Sequence, residues 1–359
     1  MPLRARLTIR EIAKEVGVSI ATVSRVMNNP EAVSPETRTA VEAVINRHGY
    51  QSHALAVSLA SARSRSVGLV IPSITNSIYA SSTQAIQRIF QNAGYTVLLG
   101  VSEFCPDTEG QLIRQLIARR VDGIILTGGE RKQELYQLLE AHGVPFVLTW
   151  KLVEQGMHHP SVSFDNFKGA SLAMEHLAEL GHRRIALICG RTDVNDRARE
   201  RRRAYEEAMH ALVGSTDQAL IHETDFELDK GRDAMRGFLE LDHPPTAVFC
   251  ANDIQAIGAV AECRTHGFDV PRDISIVGFD DLPAAVYTQP QLTTIRVPAE
   301  AMGALAATKL LESIKTGALP GSVELPVELV ERESTAPPAS APGRHAALPR
   351  EKTIAKRPA

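Results

Sequence analysis

The run Thr8-Ile9-Arg10-Glu11-Ile12-Ala13-Lys14-Glu15-Val16-Gly17-Val18-Ser19-Ile20-Ala21-Thr22-Val23-Ser24-Arg25-Val26-Met27-Asn28 contains two helix starts and one sharp stop. Thr8 and Glu11 have the spacing of a capping box, in which the hydroxyl accepts from the amide three residues on and the acid reaches back. Ile9, Ile12, Ala13 and Val16 then recur at helical spacing. Gly17 is the residue type best able to take the left-handed conformation that ends a helix. Ser19 opens a second helix whose Val23, Val26 and Met27 pack on the first, which leaves Ile20, Ala21, Ser24, Arg25 and Asn28 on the other side. A third helix starts at Ser34-Pro35-Glu36-Thr37, with serine as cap, proline at the first position and an acid in the first turn. It continues through Val41, Val44 and Ile45 to His48-Gly49. By pattern alone, three short helices around a glycine turn fit either a DNA-reading unit or a packing unit without special role.

Charge favours the first of these. The chain of 359 residues carries a net charge of −3, yet through residue 65 it places nine basic residues against five acids. A local positive excess on an acidic body is the footprint of a phosphate-binding module. The wording of the run also resembles the LacI/GalR family of regulators, through "IA..VGVS..TVSRV.N". That resemblance implies a recognition helix of about Ser19 to Met27 in the major groove of double-stranded operator DNA. Its DNA-contacting set is Thr8, Ser19, Ile20, Ala21, Thr22, Ser24, Arg25, Asn28, His53 and Leu59. Ile20 and Ala21 cannot make bidentate hydrogen bonds to a purine, so they are expected to read thymine methyls or shape, with Arg25 as the main polar reader.

Residues 51–65 are expected to be a hinge. From His53 to Ser61 the chain is apolar and helix-permissive, but shorter than the roughly 12 to 15 residues an isolated helix needs in water. The resemblance makes this a hinge helix that orders when two copies meet over the minor groove, with Leu59 as the wedge that kinks the duplex. Gln51-Ser52 and Val57 depart from the family pattern, and packing of Leu55 and Leu59 on the core is the alternative.

From Ser66 the pattern changes to α/β. Apolar runs at 67–71, 96–99, 123–126 and 145–148 alternate with helical stretches, and the alternation restarts at 184–188, 247–250 and 275–278. Such alternation implies parallel sheets covered by helices, here as two similar lobes. Ligands in such sheets sit beyond the carboxyl ends of the strands, which places a site between the lobes. "RVDGIIL", "FDN", "PTAVFCAND" and "DISIVGFDD" extend the family resemblance to about residues 8–333. The fold class is therefore a helix-turn-helix head of three helices (1–50), a hinge helix (51–65) and a two-lobed, periplasmic-binding-protein-like domain (66–333). Residues 334–359, rich in Pro, Ala and basic residues, are expected to be a disordered tail.

The resemblance assigns Arg201, Phe226, Asn252 and Asp280 to an effector cleft, and Asn76, Tyr79 and Trp150 fall there too, although Trp150 also suits a core. A ring with amide, carboxylate and guanidinium groups suits a polyol. Arg197 and Arg201, four apart on one helical face, can converge on one carboxylate or phosphate, and residues 72–76 and 164–167 look similar to gluconate-type repressors. The expected effector is a sugar acid, with a neutral sugar or a nucleobase as the alternatives.

Other classes fit less well. GxGxxG, Walker, GxSxG and HExxH motifs do not occur, so neither enzyme activity nor a cofactor is expected. Cys105, Cys189, Cys250 and Cys263 form no CxxC pair, and the histidines, read as scattered surface residues, show no metal-ligand spacing. The N-terminus has no apolar signal region and no long apolar run could span a bilayer, which fits a cytoplasmic protein rather than an exported sugar-binding protein. Reading two half-sites implies a homodimer.

Overall fold

A computed structural model describes residues 8–50, 63–152, 159–319 and 321–339. The chain divides into two units, Met1–Arg65 and Ser66–Ala359. The first unit holds α1 (Ile9–Val16), α2 (Ile20–Asn28) and α3 (Pro35–His48). Its small core is Ile12, Ala13, Val23, Val26, Val41 and Val44. The local chemistry read from the sequence is present. Thr8 and Glu11 form the capping box, Gly17 turns the chain at φ 76°, and Ser19 and Ser34 cap the next two helices through Thr22 and Thr37 amides.

The second unit contains two six-stranded sheets. Its elements are β1 (Ser66–Ile71), α4 (Ile78–Asn92), β2 (Thr96–Val101), α5 (Pro106–Ala118), β3 (Ile124–Thr127), α6 (Gln133–Ala141), β4 (Phe146–Thr149) and β5 (Ser161–Ser163). There follow α7 (Asn166–Glu179), β6 (Ile185–Cys189), α8 (Asp196–Val213), β7 (Ile221–Glu223), α9 (Leu228–Leu239), β8 (Ala247–Cys250), α10 (Asp253–Thr265) and β9 (Ser275–Asp280). The unit ends with β10 (Thr293–Arg296), α11 (Ala299–Thr316), β11 (Val323–Glu324) and β12 (Glu328–Val330).

Strand order is β11-β5-β4-β3-β1-β2 in the first sheet and β12-β10-β9-β8-β6-β7 in the second. All the pairings are parallel except β10 with β12. The chain passes between the lobes after β5, after β10 and after β11. The carboxyl ends of both sheets therefore face one cleft, and three connections hinge it.

In the second lobe α9 and α10 meet at glycines. A Cβ on Gly258 would lie 2.2 Å from the Leu228 carbonyl oxygen, and one on Gly231 would lie 2.3 Å from that of Gln255. Backbone cannot yield as a side chain does. Gly258→Ala is expected to destabilise the body by about 1–3 kcal/mol, through overpacking, as read by denaturant unfolding.

Two expectations need correction. The tail does not begin at Ser334: the Ser334 hydroxyl donates to the Ile276 carbonyl at 2.6 Å, and the Ala336 amide donates to Ser275 Oγ at 3.0 Å. Their side chains and backbone satisfy buried polar groups of β9, an interior strand of the second sheet, so they are part of the body. Nor are all histidines on the surface. His182 is buried, with its ring nitrogens against Thr246 Oγ1 at 2.9 Å and the Ala336 carbonyl at 2.9 Å.

Candidate functional site

Two candidate sites arise, one in each unit. In the first, α2 presents Ile20, Ala21 and Arg25 to solvent, while Thr22 and Ser24 are half-buried. Asn28 lies in the last turn. Ile20 is 42% exposed and lies outside the apolar core of the unit, beside the small Ala21 and the exposed Arg25. Thr8 and Ser19 are exposed but already use their hydroxyls as caps. His53 and Leu59 lie outside the described residues. Sequence reading missed Glu15, which meets Arg47 at 3.2 Å and His48 at 3.0 Å and so ties α1 to the end of α3.

The second site is a cavity between the lobes. Asn76, Tyr79, Trp150, Arg197, Arg201, Phe226, Asn252 and Asp280 all line it. Each sits just beyond a strand or at a helix start: Trp150 follows β4, Phe226 follows β7, Asn252 caps α10 and Asp280 ends β9. Trp150 and Asp280 adopt φ values of 68° and 119°, a region that side chains rarely occupy. Such backbone strain persists where the surrounding structure holds it, commonly at functional sites.

Arg201 is the keystone. Its Nε and Nη2 donate to Asn166 Oδ1 at 3.0 and 2.9 Å, and its Nη1 donates to the Ala251 carbonyl. The guanidinium lies 3.7 Å from the Phe279 ring centroid, a cation–π stack, and 3.9 Å from Asp280. Asn166 also donates to the Trp150 carbonyl at 2.9 Å, so one amide couples the two lobes through Arg201. The "FDN" motif contains Asn166, but its role was not legible there.

Burial pushes the Asp280 carboxyl up to about 8; Arg201 and a hydrogen bond donated by Asn252 Nδ2 act the other way, and Asp253 adds to the rise. At neutral pH Asp280 is thus mostly protonated. Asp253 itself is pushed to about 6, chiefly by burial, and pins the chain by accepting from the Leu282 amide and the Thr294 hydroxyl. Burial also pushes the Tyr79 phenol up, so it stays neutral.

The other arginines of α8 behave as a solvated face. Arg202 pairs with Glu206 and Glu223, and Arg203 pairs with Glu200. Arg197 and Arg201 alone of this group are turned inward and buried. The convergence expected of them is met in part, because three Arg201 donors are engaged within the protein. Contacts across the cleft include the Gly129 amide donating to Asp196 at 2.8 Å, Lys151 with Glu200 at 3.0 Å, and Arg199 with Glu130. Among the described residues no cluster of three or more His, Cys, Asp or Glu could hold a metal ion, and no helix is long and apolar enough to cross a membrane.

A head of this kind joined to such a two-lobed body defines a class, the DNA-binding regulators with a periplasmic-binding-protein-like domain. Residues 8–53 match the bacterial regulatory proteins of the lacI family, and residues 174–335 match a periplasmic binding protein-like domain. Catabolite control protein A of Priestia megaterium is 33% identical over 330 residues, covering 92% of this chain and 99% of that one. The lac repressor dimer bound to operator and the anti-inducer ONPF is similar in structure, with a TM-score of 0.81, 29% identity and coverage of 92% and 100%. The transcription regulator GntR from Chromobacterium violaceum has a TM-score of 0.70 and 30% identity, with coverage of 75% and 99%. The chain belongs to the LacI family of DNA-binding transcriptional regulators.

Proposed function

We propose that this regulator is a homodimeric repressor whose operator affinity is set by a sugar acid bound between the lobes. The observation that carries the effector is the pairing of two buried arginines with a protonated Asp280 in one cavity. With Asp280 protonated, the hydrogen-bond partners of Arg201 are the neutral Asn166 amide and Ala251 carbonyl, which leaves its charge for an anion in the cavity. The Phe226 ring offers a face for the C–H side of a polyol. The dimer is supported by the lac repressor relative and by apolar side chains left exposed at Ile74, Leu99 and Tyr287. In this reading Ile20, Ala21 and Arg25 face base edges, and binding in the cleft biases the lobe geometry that favours DNA.

Thermal-shift measurements with aldonic and ketoaldonic acids, neutral sugars and purines test the effector. Stabilisation is expected from the acids; a response to neutral sugars or purines without one to the acids overturns the reading. The pH dependence has a definite sign. Below pH about 8 Asp280 is neutral and does not repel a bound carboxylate. As pH rises through that value the carboxylate forms, and acid affinity falls by up to about tenfold per pH unit. Asp280→Asn is expected to flatten this dependence in a titration series, and an unchanged slope would remove Asp280 from the ligand's surroundings.

A further inference from the structure

The cleft contains a second cavity at the carboxyl ends of β1, β2 and β3. Ser102, Thr127, Glu109, Glu130 and the Phe104 ring line it. Phe104 meets Phe226 of the other lobe with ring centroids 5.9 Å apart, and Glu103 and Phe104 hold successive left-handed conformations at φ 52° and 56°. One residue lines both cavities, and it is Arg197.

Its guanidinium is mounted from several sides. Nη1 donates to Asp196 Oδ1 at 2.7 Å, the other Asp196 oxygen accepts from the Gly129 amide of the first lobe at 2.8 Å, and Tyr79 of that lobe lines the same cavity. Gly128 makes room for it: a Cβ there would lie 2.3 Å from Nη1. A buried arginine fixed by groups of both lobes, with open space on either side, has the form of a dividing wall.

We propose that Arg197 is a specificity-determining partition, which confines the effector to a single sugar-acid unit in the first cavity and withholds the second. This rests on the first cavity being the effector site. The second cavity has the chemistry for a neutral glycosyl unit. Thr127 Oγ1 is buried with no hydrogen-bond partner, Ser102 adds a hydroxyl, and Glu109, paired with Arg131, and Glu130, paired with Arg199, bring carboxylate oxygens that can accept from sugar hydroxyls. The Phe104 ring supplies the apolar face. A ligand that spans both cavities must pass Arg197, the residue they share.

Calorimetric titration of the full chain and Arg197→Ser with two length-matched pairs, gluconate with lactobionate and glucose with maltose, tests the partition. Arg197→Ser is expected to gain at least tenfold in affinity for the longer member of a pair and to lose affinity for gluconate. No gain for either longer ligand overturns the partition, as does wild-type binding of a longer ligand as tight as that of its shorter partner. Whether the wild type prefers gluconate to glucose judges the sugar-acid reading separately. Because Arg197→Ser strands the Asp196 carboxylate, the Asp196→Asn/Arg197→Ser pair, which keeps an acceptor for Gly129, is measured beside it with a melting control. If the single variant fails to fold, the same outcomes are read from the pair.

Discussion

Arg201→Lys is expected to weaken effector binding by at least about 100-fold while leaving operator binding in the absence of effector within a few-fold of wild type. The magnitude follows from what lysine cannot do. Arg201 holds Asn166 through two donors at 3.0 and 2.9 Å, reaches the Ala251 carbonyl with a third, and stacks flat on Phe279. An ammonium group offers no planar fork and no stacking face, so it satisfies one of these demands at a time. Asn166 would lose its acceptor contacts, and through its amide the Trp150 backbone would lose its tie to the second lobe. At about 1.5–3 kcal/mol for each hydrogen bond to a charged group, the loss of two of them corresponds to two orders of magnitude or more in an equilibrium. Calorimetry against the best sugar acid, with operator titration in parallel, reads both quantities. A change of less than threefold in effector affinity would show that the cavity around Arg201 is not where the effector binds.

The sequence exposed the parts of this fold whose physics is local. Thr8, Gly17, Ser19, Ser34 and Gly49 mark helix ends by interactions spanning three or four residues, and those ends stand where the motifs placed them. The apolar runs of β1, β8 and β9 announced themselves as buried parallel strands. β10 did not, although it lies inside the second sheet. Its Thr293 and Thr294 are fully buried, and they are accommodated by distant partners: Ser334 accepts from the Thr293 amide, and Asp253 accepts from the Thr294 hydroxyl. A polar strand in a core is invisible to a hydrophobic pattern because its compensation comes from some 40 residues away. β5 and β7, three residues each, are too short to show a period, and their Ser, His and Glu residues interrupt any apolar run.

The cavity-lining set was legible mainly through family resemblance; the i, i+4 spacing of Arg197 and Arg201 put them on one helical face but did not say that this face turns inward. What spacing could not supply was the support around them. Asn166 matters because it stands between Trp150 and Arg201, and Gly128 because it leaves room for Arg197. Both roles exist only once two lobes are folded against each other. The arginine count in α8 was equally silent on which side chains would be buried and which paired at the surface, since that depends on acids such as Glu223 brought in by another strand.

On the DNA side the largest expected effect belongs to Arg25. Among the outward residues of α2, Ile20 and Ala21 offer only apolar contact, and the hydroxyls of Ser19 and Thr22 already bond to one another at 2.9 Å. Arg25 is exposed and carries the planar donor fork that matches guanine O6 and N7. Arg25→Ala is therefore expected to weaken operator binding by about 5- to 150-fold, the equivalent of roughly 1–3 kcal/mol for one good bidentate base contact. Binding to scrambled DNA should fall much less, since non-specific affinity comes from phosphate contacts. The dependence on salt separates the two roles: a base contact leaves the slope of log K against log salt nearly unchanged, whereas a phosphate contact reduces it by about one. Titration of operator and scrambled duplexes at several salt concentrations gives both numbers. Equal losses on the two duplexes with a reduced slope would reassign Arg25 to the backbone, and sequence reading would then rest on the apolar pair Ile20 and Ala21 and on DNA shape.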